Sequence, residues 1–453
     1  MRGSRLVRVV SSLVTAGLVL AGCSAPAGQG TTAPPASAAP VTLTFRTWDE
    51  NAAAAYKESF AAFTAANPEI TVTTEVVPWS DYFTKLRTDL AGGSAADLFW
   101  LNNSNYLAYA RAGKLVDVGT VFQSDPAGLK KTFAPAVVDQ FTDGGKLWGV
   151  PQTSDGGIAV YYNKKLLDDA GLSVDDISHL TWSPNGGQNT LLTVAQKLTR
   201  DASGKTADQE GFDPAKVVQY GYNAAQDLQA IYLNFIGSNG GTYQKPDGTF
   251  TLDAPKTVEA FGYLVDLINK YHVAPSAADT NANGNFSLDA FNQGKLALFQ
   301  SGLYNLANVA DNATFDWGVV GLPAGPAGAV SVTNGVSVMG NAASTHPDAV
   351  AKVLEWLGTA DGNSPLGSTG ANLPGVLAAQ QVYLDHWASK KVPLDPFFLV
   401  IKKTTPIPAP VGANFAAGFT AINTVLNEVF LGRTPVAEGL KQANEAGNAA
   451  IAG

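Results

Sequence analysis

An alternation of strand-like and helix-like segments, beginning at Val41, most constrains the fold of this 453-residue chain. The run 41–45 alternates apolar residues with Thr, which predicts a half-buried strand, and the Ala-rich segment 52–66 predicts a helix. The next segments continue the alternation, with predicted strands at 70–77 and 97–101 and a predicted helix at 79–90. This order favours a buried parallel sheet with helices on both faces.

The chain is too long for one hydrophobic core, because single cores stop growing at about 250–300 residues. Two lobes are therefore expected. The later segments also alternate, with predicted strands at 158–162, 296–300 and 317–320 and predicted helices at 257–270, 349–357 and 415–451, the last broken at 432–435. The sequence thus predicts an α/β protein of two lobes.

The N-terminus has the pattern of an export signal. Residues 1–22 contain a basic start and an apolar run, and they end in Ala21-Gly22, which predicts a signal peptide. Leu20-Ala21-Gly22-Cys23 resembles the lipobox of bacterial lipoproteins, which implies that Cys23 becomes the lipid-bearing mature N-terminus. The alternative is an ordinary secretory signal and a free thiol at Cys23. Residues 23–40 are rich in Ala, Pro, Ser and Thr and predict a flexible tether.

Composition excludes several other classes. With a single Cys, the chain forms no intrachain disulfide and no multi-Cys zinc site. The net charge is −9 and no Lys/Arg-rich stripe is present, so nucleic acid is not an expected partner.

A series of short motifs carries a family resemblance from about Val41 to about Gly375. The motifs are Phe45-Arg46-Thr47-Trp48, Asn67-Pro68-Glu69-Ile70, Trp79-Ser80-Asp81-Tyr82, Ala91-Gly92-Gly93-Ser94, Gly113-Lys114-Leu115, Gly145-Lys146-Leu147-Trp148-Gly149-Val150-Pro151, Val160-Tyr161-Tyr162-Asn163-Lys164, Phe291-Asn292-Gln293-Gly294-Lys295 and Gly321-Leu322-Pro323. In this order they resemble the extracellular solute-binding proteins of ABC importers, in the group with maltose- and multiple-sugar-binding proteins. Ala96 stands where the family usually has Pro, and the loop 181–187 also departs from its pattern.

The resemblance implies two lobes, each a mostly parallel sheet flanked by helices, with a ligand cleft between them. Expected lobe 1 covers 41–152 plus about 301–358, and lobe 2 covers about 153–300 plus about 359–453. It further implies high-affinity capture of a small carbohydrate and its delivery to integral ABC permease subunits with a separate ATPase. Hinge closure would need neither chemistry nor a cofactor. We expect a monomer, anchored by lipid to the outer face of the cytoplasmic membrane.

Sugar recognition requires aromatic faces and groups that pair with hydroxyls, expected just past strand ends. Trp48, Asp49 and Glu50 follow the first strand, although Trp48 in the core and solvated acids would fit as well. Asn102, Asn103 and Asn105 follow the third strand, where they could instead cap a helix. The other candidates are Asp155 between two strands, the aromatic residues Tyr82 and Trp182, which core packing would equally explain, and Asn234, Tyr304, Asn305 and Asn334.

The sequence gives less support to other functions. A lipid-anchored glycoside hydrolase needs only two carboxylates, but no spacing marks such a pair, and no Gly-x-Ser-x-Gly or His-Glu-x-x-His motif is present. A polyol or other polar solute remains an alternative ligand, and a surface adhesin an alternative role. Residues 279–284 match the start of a calcium loop, but the twelfth position is Ala290 instead of Glu, so a polar turn without metal is expected.

Overall fold

The computed structural model describes residues 39–154, 156–403 and 406–452. The predicted signal peptide, Cys23 and nearly all of the tether lie outside the described residues, as does Asp155. Residues 40–453 form one compact unit. No helix of the described part of the chain is long and apolar enough to cross a membrane.

Twelve strands form in the described residues. In chain order, β1 to β12 are Val41–Thr47, Ile70–Val76, Leu98–Asn102, Thr142–Asp143, Lys146–Leu147, Val150–Thr153, Ile158–Asn163, Arg200–Asp201, Val217–Tyr222, Leu296–Gly302, Trp317–Val320 and Val336–Gly340.

The α-helices of the same residues connect these strands and cover their faces. In chain order, α1 to α20 are Glu50–Ala66, Trp79–Gly92, Asn103–Arg111, Val118–Phe122, Pro126–Leu129, Pro135–Gln140, Lys164–Asp169, Val174–Ser178, Thr190–Leu198, Leu233–Ser238, Pro255–Asn269, Ala277–Ala282, Phe286–Asn292, Leu306–Asn312, Pro347–Leu357, Ala360–Ser368, Gln380–Ser389, Asp395–Lys403, Phe415–Phe430 and Val436–Ala452.

The first sheet has the strand order β2-β1-β3-β12-β6. In chain order, β1 shows the alternation expected of a half-buried strand: Leu43 and Phe45 are fully buried, whereas the alternating Thr42 and Thr44 are exposed. β3, whose residues are all buried, pairs in parallel with β1 and antiparallel with β12. This sheet and its helices form the first lobe.

The second sheet has the order β11-β7-β10-β9-β8. Alternate residues of β7 point into different cores, because Ile158 and Val160 pack in one apolar cluster and Ala159 and Tyr161 in another. Helices therefore cover both faces of this sheet, which forms the second lobe. The expected α/β fold with two sheets flanked by helices is confirmed.

The share of parallel strand pairs is smaller than expected. In the first sheet β12 runs antiparallel to both of its neighbours, and in the second sheet β10 and β11 run antiparallel to β7. Both sheets are mixed because the chain passes from one lobe to the other between β6 and β7 and again between β11 and β12. A strand that enters from the opposite lobe starts at the edge where its neighbours end.

Two segments lie in the lobe opposite to the one expected from the predicted boundaries. β11, which falls in the range expected for lobe 1, pairs with β7 in the second sheet. α16, expected in lobe 2, packs against α1 of the first lobe, where the Ser59 hydroxyl donates a hydrogen bond to the Gly362 carbonyl at 2.7 Å. Contacts between segments far apart in the chain therefore determine the lobe to which β11 and α16 belong.

Candidate ligand-binding site

The strand ends place most of the candidate residues along facing edges of the two sheets. In the first sheet β1, β2, β3 and β6 end at one edge, where Asn102 and Thr153 both lie opposite Val336. In the second sheet β10 ends opposite Ile158, the first residue of β7. Only four residues separate the end of β6 from the start of β7 in the sequence, so we expect the two edges to face each other across the ligand cleft. Open α/β sheets bind ligands outside the carboxyl ends of their strands.

The loop after β1 brings three predicted residues to this edge. Trp48 is half-buried, with its ring 5.0 Å from that of Trp100 between centroids. Asp49 caps α1, because its carboxylate accepts a hydrogen bond from the Ala52 amide at 3.0 Å. Glu50 is exposed in the first turn of the helix. Trp48 thus borders the core and still has accessible surface, and ligand binding by this segment stays a prediction.

The junction between β3 and α3 places three amides together. Asn102 and Asn103 are buried, and the Asn102 side-chain carbonyl accepts a hydrogen bond from Nδ2 of Asn105 at 2.7 Å. Oδ1 of Asn103 is buried and has no hydrogen-bond partner among the described residues. A buried acceptor left unpaired is costly, so one at a cleft edge is a candidate to accept a ligand hydroxyl.

The opposing edge carries three more predicted residues. Tyr304 and Asn305 follow β10, and Asn334 lies on the connection from β11 to β12; all three are half-buried. Asn305 donates a hydrogen bond to the Ser301 hydroxyl at 2.8 Å, and Asn334 donates one to Oε1 of Gln229 at 3.4 Å. The expected cleft edge of the second lobe therefore carries amide and phenol groups, whose contact with a ligand stays a prediction.

Three predicted ligand contacts lie in the interior instead. The Tyr82 ring is fully buried, and its hydroxyl donates to the Trp100 carbonyl at 2.8 Å. Trp182 is 2% exposed and donates through Nε1 to the Ser238 hydroxyl. Asn234 is 3% exposed. Its side-chain nitrogen donates hydrogen bonds to main-chain carbonyls, and its side-chain oxygen accepts one from a main-chain amide. For the two aromatic residues, core packing describes the structure better than a binding face.

The first connection between the lobes is closely packed. Asp155, the predicted carboxylate of this segment, lies outside the described residues, so its role stays a prediction. A Cβ atom on the neighbouring Gly156 would lie 2.5 Å from Cδ2 of Leu303 and 3.0 Å from the ring of Phe398. A side chain at position 156 would therefore have to displace the end of the Leu303 side chain.

Trp79 is an exposed aromatic residue at the same edge that the sequence analysis did not select as a candidate ligand contact. It opens α2, directly after β2, and it is 52% exposed. Its ring lies 5.2 Å from that of Trp48 at an angle of 75°. The rule that selected Trp48, an aromatic residue just past a strand end, would also have found Trp79.

Asp227 is a second residue that the sequence analysis did not select as a candidate ligand contact. It follows β9 at the cleft edge and caps a π-helix at Leu228–Tyr232, accepting a hydrogen bond from the Ala230 amide at 2.7 Å. Burial raises the pKa of Asp227, as it raises that of Asp49 on the opposite lobe, and in both cases main-chain amides act in the opposite direction. Hydrogen bonds to such desolvated carboxylates are strong, and π-helical turns are frequent at functional sites.

The segment resembling a calcium loop folds differently from the expected turn. Residues 277–282 form α12, and the Asp279 carboxylate accepts a hydrogen bond from the Ser276 hydroxyl at 2.7 Å at the start of that helix. Within residues 39–154, 156–403 and 406–452 no group of three or more His, Cys, Asp or Glu side chains is placed to hold a metal ion.

Comparison with known proteins identifies the family of the chain. The family model of the bacterial extracellular solute-binding protein matches residues 47–364. The crystal structure of M. tuberculosis UspC is 54% identical, with a TM-score of 0.70, and the match covers 90% of this chain and 100% of that one.

Two curated relatives match smaller parts. A "probable ABC transporter-binding protein" of Deinococcus radiodurans is 30% identical over 242 residues, which are 52% of this chain and 53% of the relative. The lactose-binding protein of Rhizobium radiobacter is 29% identical over 184 residues, which are 40% and 39% of the two chains. The resemblance predicted from the motifs is confirmed, and the chain belongs to the bacterial extracellular solute-binding protein family.

Proposed function

We propose that this protein captures a carbohydrate outside the cytoplasmic membrane and delivers it unchanged to the permease of an ABC importer. The observation that most supports a sugar is the chemistry of the cleft edges. The candidate groups at these edges are indole rings, amides and carboxylates, and such groups suit the apolar faces and hydroxyls of a pyranose. A lactose-binding protein among the relatives agrees with this ligand class.

Capture proceeds by closure of the lobes on the solute. The candidate groups lie on both lobes, with Asp49 and Asn103 on the first and Asp227 on the second. A ligand that contacts both lobes favours the closed form, since it binds that form more tightly than the open one. The closed monomer then docks on integral permease subunits, and a separate ATPase supplies the energy for import.

The lipid on Cys23 would hold the protein at the outer face of the membrane. The lipobox-like residues 20–23 and the tether of residues 23–40 support this part of the proposal. The test is metabolic labelling of the full chain in a bacterial host with an alkyne-tagged palmitate. The wild type should be labelled and remain with the membranes, whereas Cys23→Ser should lose the label and enter the medium. Labelling of Cys23→Ser would contradict the anchor.

The ligand is tested by calorimetry of the purified protein against monosaccharides, oligosaccharides, polyols and amino acids. At least one carbohydrate should bind, and chromatography should recover it unchanged. Cleavage of the sugar would favour the hydrolase, and binding of polyols alone would move the proposal to that solute class. Binding of no carbohydrate would refute the proposed function.

Asn103→Ala tests the cleft assignment. The loss of a hydrogen bond to a sugar hydroxyl should weaken binding about tenfold. The matched control is Asn312→Ala, because Asn312 is exposed at the end of α14, shortly before β11, which runs from there toward the cleft. An equal effect of both variants would contradict the placement of the site.

A further inference from the structure

The chain contains four Asn-Gly pairs, a sequence at which the asparagine side chain readily loses its amide group. The pairs are Asn185-Gly186, Asn239-Gly240, Asn283-Gly284 and Asn334-Gly335. In this reaction the main-chain nitrogen of the glycine attacks the side-chain carbonyl carbon of the asparagine, and no Cβ atom of the glycine hinders the approach. The reaction therefore needs a glycine nitrogen that no hydrogen bond holds and an asparagine side chain that is able to turn toward it.

In two of the pairs a hydrogen bond holds the glycine nitrogen. The Gly240 amide donates to the Gly237 carbonyl at 2.9 Å, and the Gly335 amide donates to Oε1 of Gln140 at 2.9 Å. Asn239 is also buried, and its side-chain nitrogen donates to a main-chain carbonyl at 2.7 Å. The fold therefore protects both pairs, because the attacking nitrogen is engaged in each.

In the third pair the asparagine side chain is held. Asn283 is exposed, but its Oδ1 accepts a hydrogen bond from the Asn285 amide at 2.9 Å. Its Nδ2 donates to the Asp289 carboxylate at 3.3 Å. A turn of this side chain toward Gly284 would break both hydrogen bonds, so the reaction should be slow at this pair.

The pair Asn185-Gly186 meets both conditions. Both residues are exposed in the turn before α9, and Gly186 has a φ of 82°, which favours glycine. The Ser183 hydroxyl accepts hydrogen bonds from the main-chain amides on either side of Gly186, at 3.4 and 3.2 Å. The Gly186 amide itself has no hydrogen-bond partner within the part of the chain that the structure describes. The Asn185 side chain is held only by a long hydrogen bond of 3.4 Å from Nδ2 to Oε1 of Glu259.

We propose that Asn185 is a site of spontaneous deamidation in the folded protein and that it reacts faster than the asparagines of the other three pairs. The Gly186 nitrogen forms a bond to Cγ of Asn185, and the side-chain amide leaves as ammonia, which takes the proton of the Gly186 nitrogen. Water then opens the five-membered imide at one of its two carbonyls. The product at position 185 is aspartate or isoaspartate.

The new carboxylate lies beside another carboxylate. The amide of Asn185 donates to Glu259, whereas the product has only acceptors there. Asn185, Glu259 and Asp266 line one cavity of about 310 Å³ beside α11. The added negative charge repels those of the other two residues, so the turn of residues 183–187 should loosen from α11.

The experiment incubates the folded wild-type protein at mildly alkaline pH and follows each pair by peptide mass spectrometry, as a gain of about one dalton. Asn185 should convert several times faster than Asn283, and Asn239 and Asn334 should stay unchanged over the same period. In urea-unfolded protein all four pairs should convert at similar rates, because only the fold distinguishes them. No conversion of Asn185 in the folded protein, or equally fast conversion of another pair, would overturn the proposal.

Two variants test the site and its consequence. Asn185→Gln keeps an amide but does not form the five-membered ring readily, so it should remain unconverted and keep the melting temperature of the wild type. Asn185→Asp imitates one product and should melt about 1–2 °C lower than Asn185→Gln, with a difference that shrinks at high salt. Equal melting temperatures of the two variants would contradict the proposed effect on the turn.

Discussion

One hydrogen bond joins the two lobes at the cleft and leads to a quantitative prediction. The Ser104 hydroxyl on α3 of the first lobe donates to the Pro410 carbonyl at 2.6 Å, and both residues are buried. Pro410 belongs to a segment of the second lobe, because Ile407 packs in the same apolar cluster as Ile158 and Val160 of β7. α3 also lies against α19 of that lobe. Opening of the cleft should expose both partners to water.

Ser104→Ala therefore destabilises the closed form more than the open form. A hydrogen bond of this kind contributes about 1 kcal/mol net, and the loss of that amount shifts the closure equilibrium about fivefold. Because a ligand binds tightly only to the closed form, its apparent dissociation constant should rise about fivefold. The factor should be the same for every carbohydrate that binds, since the hydroxyl is engaged with the protein itself.

The assay is calorimetry with two or more carbohydrates on wild type and Ser104→Ala. Ser80→Ala is the control, because Ser80 is exposed on α2 and its hydroxyl contacts only the neighbouring Asp81 among the described residues. An unchanged affinity, or a loss that differs strongly between ligands, would refute the reasoning. The second result would instead indicate that Ser104 contacts the sugar.

Three further substitutions test the assignment of buried residues. Tyr82→Phe should lower the free energy of unfolding by about 1 kcal/mol in denaturant titrations, because a buried hydrogen bond is lost, with carbohydrate affinity unchanged. Asp201→Asn should flatten the fall of the melting temperature between about pH 4 and pH 2. Hydrogen bonds from Ser203 and main-chain amides lower the pKa of Asp201 to about 2, so its stabilisation is full above the unfolded pKa and is lost as pH falls through the folded one. Gly221→Ala should lower the melting temperature by several degrees, because its Cβ would lie 2.1 Å from the Ala195 carbonyl oxygen; an unchanged value would contradict this packing.

Much of the architecture followed from local patterns. The alternation at 41–45 marks β1 because Leu43 and Phe45 face the core and the Thr residues face solvent. Asn67-Pro68 ended α1 as expected, and the helices and strands predicted from apolar spacing are present near the predicted bounds. Periodicity and turn residues act between near neighbours, so one sequence suffices to detect them.

The sequence by itself determined the α/β class, the family and the segments at the ends of β1 and β3 where candidate ligand groups occur. Only the tertiary structure decided that Tyr82 and Trp182 are buried while Trp79 is exposed, and that β11 joins the second sheet. These outcomes depend on contacts between segments far apart in the chain. An aromatic side chain has the same local pattern whether it fills a core or borders a cleft, and the packing of distant segments decides which.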